Sequence, residues 1–222
     1  TNIMSYLEKS NKVTANINHQ SVTNKLISVQ DLQNGRLDPI DSPESSKIGI
    51  VHHRTVLTKE DADGNLLVPF LKVKDGEVVS NKPVYLTAVE EKDKYIAEWN
   101  EDFKNPDGTK KTRVLARYCG NVITVDTNMI TYKEYSQLSS MSPARACIPF
   151  QNHSSGKRLL MSCNHHKQAV PTIGAERARV GTGCESILDV GNYLAKDLLQ
   201  EYYNNNINFF AILGEHKDDI LN

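Results

Sequence analysis

The sequence predicts a mixed α+β protein, rich in β-structure, and three observations carry that prediction. Short apolar segments recur from Ile48 to Trp99, separated by the turns DADGN and KDGE, whose Asp-Gly pairs favour hairpins. A second pair of strands flanks Cys119-Gly120 in TRVLARYCGNVITVDT. Helical spacing enters mainly after Met141, first at Leu159, Leu160 and Cys163, then at Ile187, Leu188, Tyr193, Leu194, Leu198 and Leu199.

Taken in order, Ile3, Met4 and Leu7 suit one helical turn. NHQSVTNKLISVQDLQNG reads as loop, with a short strand near Lys25 to Val29. Asp38 to Gly49 is turn, because two prolines among small polar residues exclude a helix. IGIVHHRTVL, LLVPFLKV, EVVSNKPVYLTA and KYIAEWN are the strands of a small antiparallel unit. EDFKNPDGTKK is an exposed loop, and TYKEYSQLSS a short helix or turn. GKRLLMSCNHHKQA forms a short helix stopped by Pro171. VGTGC is a tight loop, and Ser186 to Tyr203 an amphipathic helix despite Gly191.

Composition narrows the class. With 39% hydrophobic and 24% charged residues, the chain is globular rather than wholly disordered. It has no apolar run long enough for a transmembrane helix, and its polar start is no signal peptide. The absent initiator Met leads us to expect a piece of a longer polypeptide. The net charge of −1 does not announce a nucleic-acid binder. Its distribution does more: Lys157, Arg158, Lys167, Arg177 and Arg179 are opposed only by Glu176, and such a stripe suits phosphate. Cys119, Cys147, Cys163 and Cys184 form no CxxC pair and read as reduced thiols of a cytosolic protein.

The stretch Gly156 to Pro171 concentrates chemistry. A metal site at Cys163, His165 and His166 is disfavoured, since adjacent histidines diverge on a helix and the spacing matches no zinc signature. His52-His53 shares that defect, and the expectation is no metal ligand in this chain. Nothing marks a base or oxyanion hole for a Cys163 nucleophile. A phosphate and nucleotide surface fits better. Arg158 offers a planar fork, Lys167 a point charge, and Asn164 and Gln168 amides one helical turn apart.

Those residues carry a resemblance. IPFQNHSSGKRLLMSCNHHKQAVPTIGAERARVGTGCE closely resembles the β subunit of multisubunit DNA-directed RNA polymerases. Ile148, Pro149, Phe150, His153, Arg158, Leu160, Met161, Asn164, Gln168 and Pro171 are among the shared residues. A second anchor, GRLDPIDSPESSKIGIV, is similar to the family's PIETPEG turn at Pro39, Ile40, Pro43, Glu44, Ile48 and Gly49. PFLKVKDGEVVSNKPVYLTAVEEKDKYIAE resembles the family between the anchors, so the likeness runs from Ser5 to about Lys196. Departures are Ser45, Ser46 and Lys47 in the turn, Ser154-Ser155 for an acidic pair, and an unmatched tail. Such divergence suggests the split β-like chains of large bacteriophages.

The resemblance implies a fork-like segment at 1–50, a β-rich external lobe with an antiparallel sheet at 51–140, and the start of the hybrid-binding region at 141–222. It implies nucleotidyl transfer, with Mg²⁺ held mainly by a β′-like partner, so that the chain alone is inert. Arg158 then matches an NTP-binding residue. Asn164, Lys167 and Gln168 match residues contacting RNA or the RNA–DNA hybrid, and Pro43, Glu44 and Lys47 match the RNA-channel turn. Implied partners are the β′-like subunit, the remaining β-like polypeptides, template DNA, the RNA transcript, NTPs and a specificity factor, without a membrane. The implied location is the cytoplasm of an infected bacterial cell, or the virion. A second reading is a non-catalytic nucleic-acid-binding or assembly module derived from the same fold. A third is a stand-alone metal hydrolase. Co-purification separates them.

Overall fold

The structure is a computed structural model and describes residues 2–15 and 27–170. In chain order its elements are α1 (Ile3–Asn11), β1 (Lys12–Thr14), β2 (Val51–His53), β3 (Lys59–Glu60), β4 (Leu66–Lys74), β5 (Glu77–Val78), β6 (Val84–Leu86), α2 (Ala88–Glu91), β7 (Ile96–Ala97), β8 (Arg113–Tyr118), β9 (Asn121–Asp126), β10 (Tyr132–Glu134), α3 (Pro143–Ala146) and α4 (Gly156–Gln168). The VGTGC loop, the helix expected at Ser186 to Tyr203 and the C-terminal tail lie outside the described residues. The strand expected near Lys25 to Val29 lies partly outside them, and Ser28 and Val29 belong to no strand.

The chain divides into two compact units. One takes the described residues of 1–29, 37–57 and 140 onward; the other takes 30–36 and 58–139. The first and third stretches expected from the sequence thus share a unit. Polar contacts join them: Ser142 N–H donates to Asp38 Oδ2 and Ser142 Oγ to Asp41 Oδ2, both at 2.7 Å.

In the first unit, Asn2 caps α1 by accepting from Met4 N–H at 2.9 Å. The helix runs nine residues rather than one turn. Its buried face continues from Met4 and Leu7 through Glu8 and Asn11, polar residues that an apolar pattern passes over. β1 pairs antiparallel with β2, with Val13 opposite His52. Gly49 takes φ +73°, and a Cβ there would sit 2.2 Å from Ile27 Cγ2, so only glycine fits. Ser142 caps α3, with Pro143 in its first turn, and Ser155 caps α4. Leu159 and Cys163, one turn apart, are the buried side chains of α4.

The second unit holds the expected sheet, ordered β3-β4-β10-β7-β8-β9 with β5 and β6 also on β4, but without IGIVHHRTVL, whose strand β2 instead pairs with β1 in the first unit. Its hairpins follow the turn chemistry. Asp75-Gly76 and Cys119-Gly120 both take positive φ, as a two-residue turn matched to strand twist requires. One pairing departs from the antiparallel expectation, since β10 runs parallel to β7. TYKEYSQLSS also becomes β10 followed by a 3-10 turn at Gln137–Ser140, because Tyr132 to Glu134 find an open edge of β4.

Val68, Phe70, Leu86 and Ile96 form one apolar cluster of this unit, and Val73, Ala97, Phe103, Val114, Ala116, Val125 and Ile130 another. Arg36 is 4% exposed within the unit. Its guanidinium donates to the carbonyls of Leu66 (3.0 Å) and Leu86 (3.3 Å) and pairs with Glu91 at 2.7 Å. Glu91 also holds Arg117 at 2.5 Å.

Candidate functional site

The sequence-predicted residues all fall in the first unit, on α4 and on the turn that follows Ser42. Arg158 lies in the first turn of α4 and is exposed, its Nη1 directed toward Met161 Sδ at 3.6 Å. Asn164 is half-buried, and its Nδ2 donates to the Ser42 carbonyl at 3.3 Å. That bond ties the helix to the residue immediately before Pro43. Gln168 ends the helix, exposed. Pro43 is half-buried, whereas Glu44 and Lys47 are exposed on the turn. The turn is braced from inside by Ser42 Oγ, which donates to the Val51 carbonyl at 3.1 Å and lies 3.1 Å from Gly49 N–H.

Lys167 behaves differently. It continues the Leu159–Cys163 stripe by one more turn, so its ammonium points inward, to Asp41 Oδ1 at 2.6 Å and Glu8 Oε2 at 3.2 Å. His53 sits between the same carboxylates, with Nε2 2.8 Å from Glu8 Oε2 and Nδ1 3.0 Å from the Asp41 carbonyl and 3.4 Å from its Oδ2. Asp41 is fully buried and also accepts from Ser142 Oγ at 2.7 Å. Beside it, fully buried Asp38 accepts from Ile40 N–H and pairs with Arg145 at 3.2 Å.

Comparison with known proteins identifies the family. The model for RNA polymerase Rpb2, domain 3 matches residues 1–59, and the model for the RNA polymerase beta subunit external 1 domain matches residues 70–136. The DNA-directed RNA polymerase subunit beta of Christiangramia forsetii is 39% identical over 153 residues, 68% of this chain and 12% of that protein. Its counterpart from Phytoplasma australiense is 36% identical over 165 residues, 72% of this chain and 13% of that protein. This chain belongs to the RNA polymerase β-subunit family. It spans about an eighth of the length of these relatives.

Within this β-family chain, the electrostatics follow from burial and pairing. Burial opposes charge on His53, but hydrogen bonds to Asp41 and Glu8 outweigh it and push its pKa up to about 9. Both ring nitrogens face oxygen atoms, an arrangement that suits the imidazolium. Burial would raise Asp41, yet His53 and Lys167 hold it well below the usual carboxylate range. Burial pushes Glu8 up. Burial also pushes the Cys163 thiol far up, so it supplies no thiolate. It pulls His166 down, toward the neutral form.

Glu8, Asp41 and His53 bring three ligating atoms within 4.8 Å of one another, but they do not fit Mg²⁺. That ion demands an open octahedron of oxygens and retained waters. Here the Lys167 ammonium already lies among the carboxylates and neutralises them. Sequence reasoning passed over Glu8, Asp41 and His53, and read His52-His53 only as a poor metal pair. The one signal was Lys167 itself, a cation in register with a buried stripe.

The pH dependence carries a definite sign. His53 has its folded pKa raised, so its contribution is full below about 6.5 and is lost as pH rises through about 9. Asp41 works oppositely, its contribution being lost as pH falls below the usual carboxylate range. Hydrogen exchange over α1 and α4, corrected for intrinsic rates, should show protection falling between about pH 7 and about pH 10. Flat protection across that interval would mean that His53 carries no charge in the folded unit.

Proposed function

We propose that this chain is the central segment of a β-like subunit of a DNA-directed RNA polymerase. In this reading it lines the active-site cleft and positions the NTP, the RNA 3′ end and the RNA–DNA hybrid for nucleotidyl transfer. The observation that carries the proposal is the α4–turn pair. One end of a capped helix exposes a guanidinium, the other presents two amides, and the helix is bonded through Asn164 to the residue before Pro43-Glu44. Ten residues separate Arg158 from Gln168, roughly 15 Å of helix. That span reaches from a nucleotide's phosphates at one end to a strand terminus at the other.

Arg158 takes the triphosphate with its planar fork. Asn164 and Gln168 meet sugar hydroxyls or base edges at the RNA 3′ end, and Pro43, Glu44 and Lys47 line the early RNA path. Lys167 serves this surface from beneath, holding the helix end rather than reaching for RNA. Mg²⁺ supplies charge neutralisation at the transferring phosphate and is held mainly by a β′-like partner, so this chain is inactive alone. The remaining partners are further β-like polypeptides, template DNA, transcript and a specificity factor. The loss of Gly-Pro-Asn at Ser45-Ser46-Lys47 supports placement among the split β-like chains of large bacteriophages, acting in the infected cell's cytoplasm or from the virion.

Mass spectrometry of the intact native complex tests the proposal. A β′-like chain and the rest of β should accompany this one, and the complex should extend RNA on a template. Recovery of the chain free of such partners, in a form that hydrolyses or binds substrate alone, would overturn it.

A further inference from the structure

Four segments distant in sequence meet at one buried point. Glu8 comes from α1, Asp41 from the Asp38–Ser42 turn, His53 from β2 and Lys167 from α4. The side chains of Glu8, His53 and Asp41 are 4%, 6% and 0% exposed. Burying one charge without a partner is costly, whereas two acids and two bases in mutual contact sum to zero. The same place is tied by neutral bonds: Asn2 Nδ2 donates to the Ala169 carbonyl at 2.9 Å, and Asp38 N–H to the His53 carbonyl at 2.9 Å. The last turn of α4 is therefore held by α1 on one side and by the tetrad beneath.

Resting on the polymerase reading above, we propose that His53 is a positioning residue. Its imidazolium completes a charge-balanced tetrad with Glu8, Asp41 and Lys167, and the tetrad sets where the end of α4 presents Asn164 and Gln168. The other charged or titratable groups nearby do not substitute for it. On its own strand His52 bonds the Gly49 carbonyl and Arg54 bonds Asn11; opposite it Lys12 is exposed. On α4, burial pulls His166 toward the neutral form and holds Cys163 as the thiol; Asp38 pairs with Arg145. Without the His53 charge, Lys167 faces two carboxylates alone. Glu8, the acid that burial already pushes up, is then the one that must take a proton.

That asymmetry gives a test in the assembled native complex, with single-nucleotide extension and hydrogen exchange over residues 156–168 as readouts. His53→Asn should lower kcat at saturating NTP by about tenfold or more, as a displaced positioning group does. The NTP KM should be little changed, because Arg158 lies at the far end of the helix. The activity of this variant should also shift toward acid, where Glu8 is protonated. Adding Glu8→Gln removes the excess negative charge, leaving one Asp41–Lys167 pair. It should bring kcat back to within about threefold, flatten the pH profile and restore exchange protection. A packing role for the ring alone predicts no such repair.

If His53→Asn fails to assemble, the double variant should assemble, and its failure would overturn the proposal. So would wild-type behaviour of His53→Asn across about pH 6 to 9, or a double variant no better than the single one. A wild-type complex that extends no RNA would instead overturn the polymerase reading. The exchange measurements would then still decide whether His53 holds the end of α4.

Discussion

Arg36→Ala should destabilise the second unit by about 3–5 kcal/mol, the usual cost of leaving a buried charge unpaired. The substitution removes a guanidinium that is ion-paired with Glu91 and donates to the carbonyls of Leu66 and Leu86. Glu91 keeps Arg117, so the loss falls at the lower end if the remaining pair closes up, and at the upper end if the carbonyls stay dry and unbonded. Hydrogen exchange of β4 and β7 amides reads the change directly, since both strands abut the residue's partners. The paired replacement Arg36→Met with Glu91→Leu, which removes that ion pair together, should recover part of the loss. Exchange unchanged in Arg36→Ala would mean that water already reaches Glu91 in the native unit.

Arg158→Ala should lower kcat/KM for NTP by on the order of tenfold to a hundredfold in the assembled polymerase. A hydrogen bond to a charged group is worth roughly 1.5–3 kcal/mol, which sets that range. The structure makes the experiment clean. Arg158 is exposed, and the helix start depends on its backbone N–H to Ser155 Oγ rather than on its side chain. Arg158→Lys should recover only part of the activity, because an ammonium keeps the charge but loses the two-pronged geometry. Normal NTP kinetics in a correctly assembled Arg158→Ala complex would remove this residue from the site.

The two experiments probe features that were unequally legible in the sequence. The hairpins at Asp75-Gly76 and Cys119-Gly120 were legible because positive φ selects residue types locally. The core-facing stripe of α4 was legible for a local reason too: Leu159 and Cys163 share a face. The length of α1 was not, because Glu8 and Asn11 extend its buried face as polar residues. Their burial is made tolerable only by partners such as His53, 45 positions after Glu8. The parallel pairing of β10 with β7 was equally hidden, since nothing in three residues of strand specifies which edge they will meet.

The sequence by itself determined the family and the β-rich class. Those properties live in local spacing and in collinear motifs, and need no knowledge of distant neighbours. Only the tertiary structure decided what Lys167 and His53 do. A lysine one turn beyond Cys163 could equally face water; it turns inward because Glu8 and Asp41 are already buried there and must be neutralised. The energy that makes that choice is a sum over four segments. It has no counterpart in any one of them.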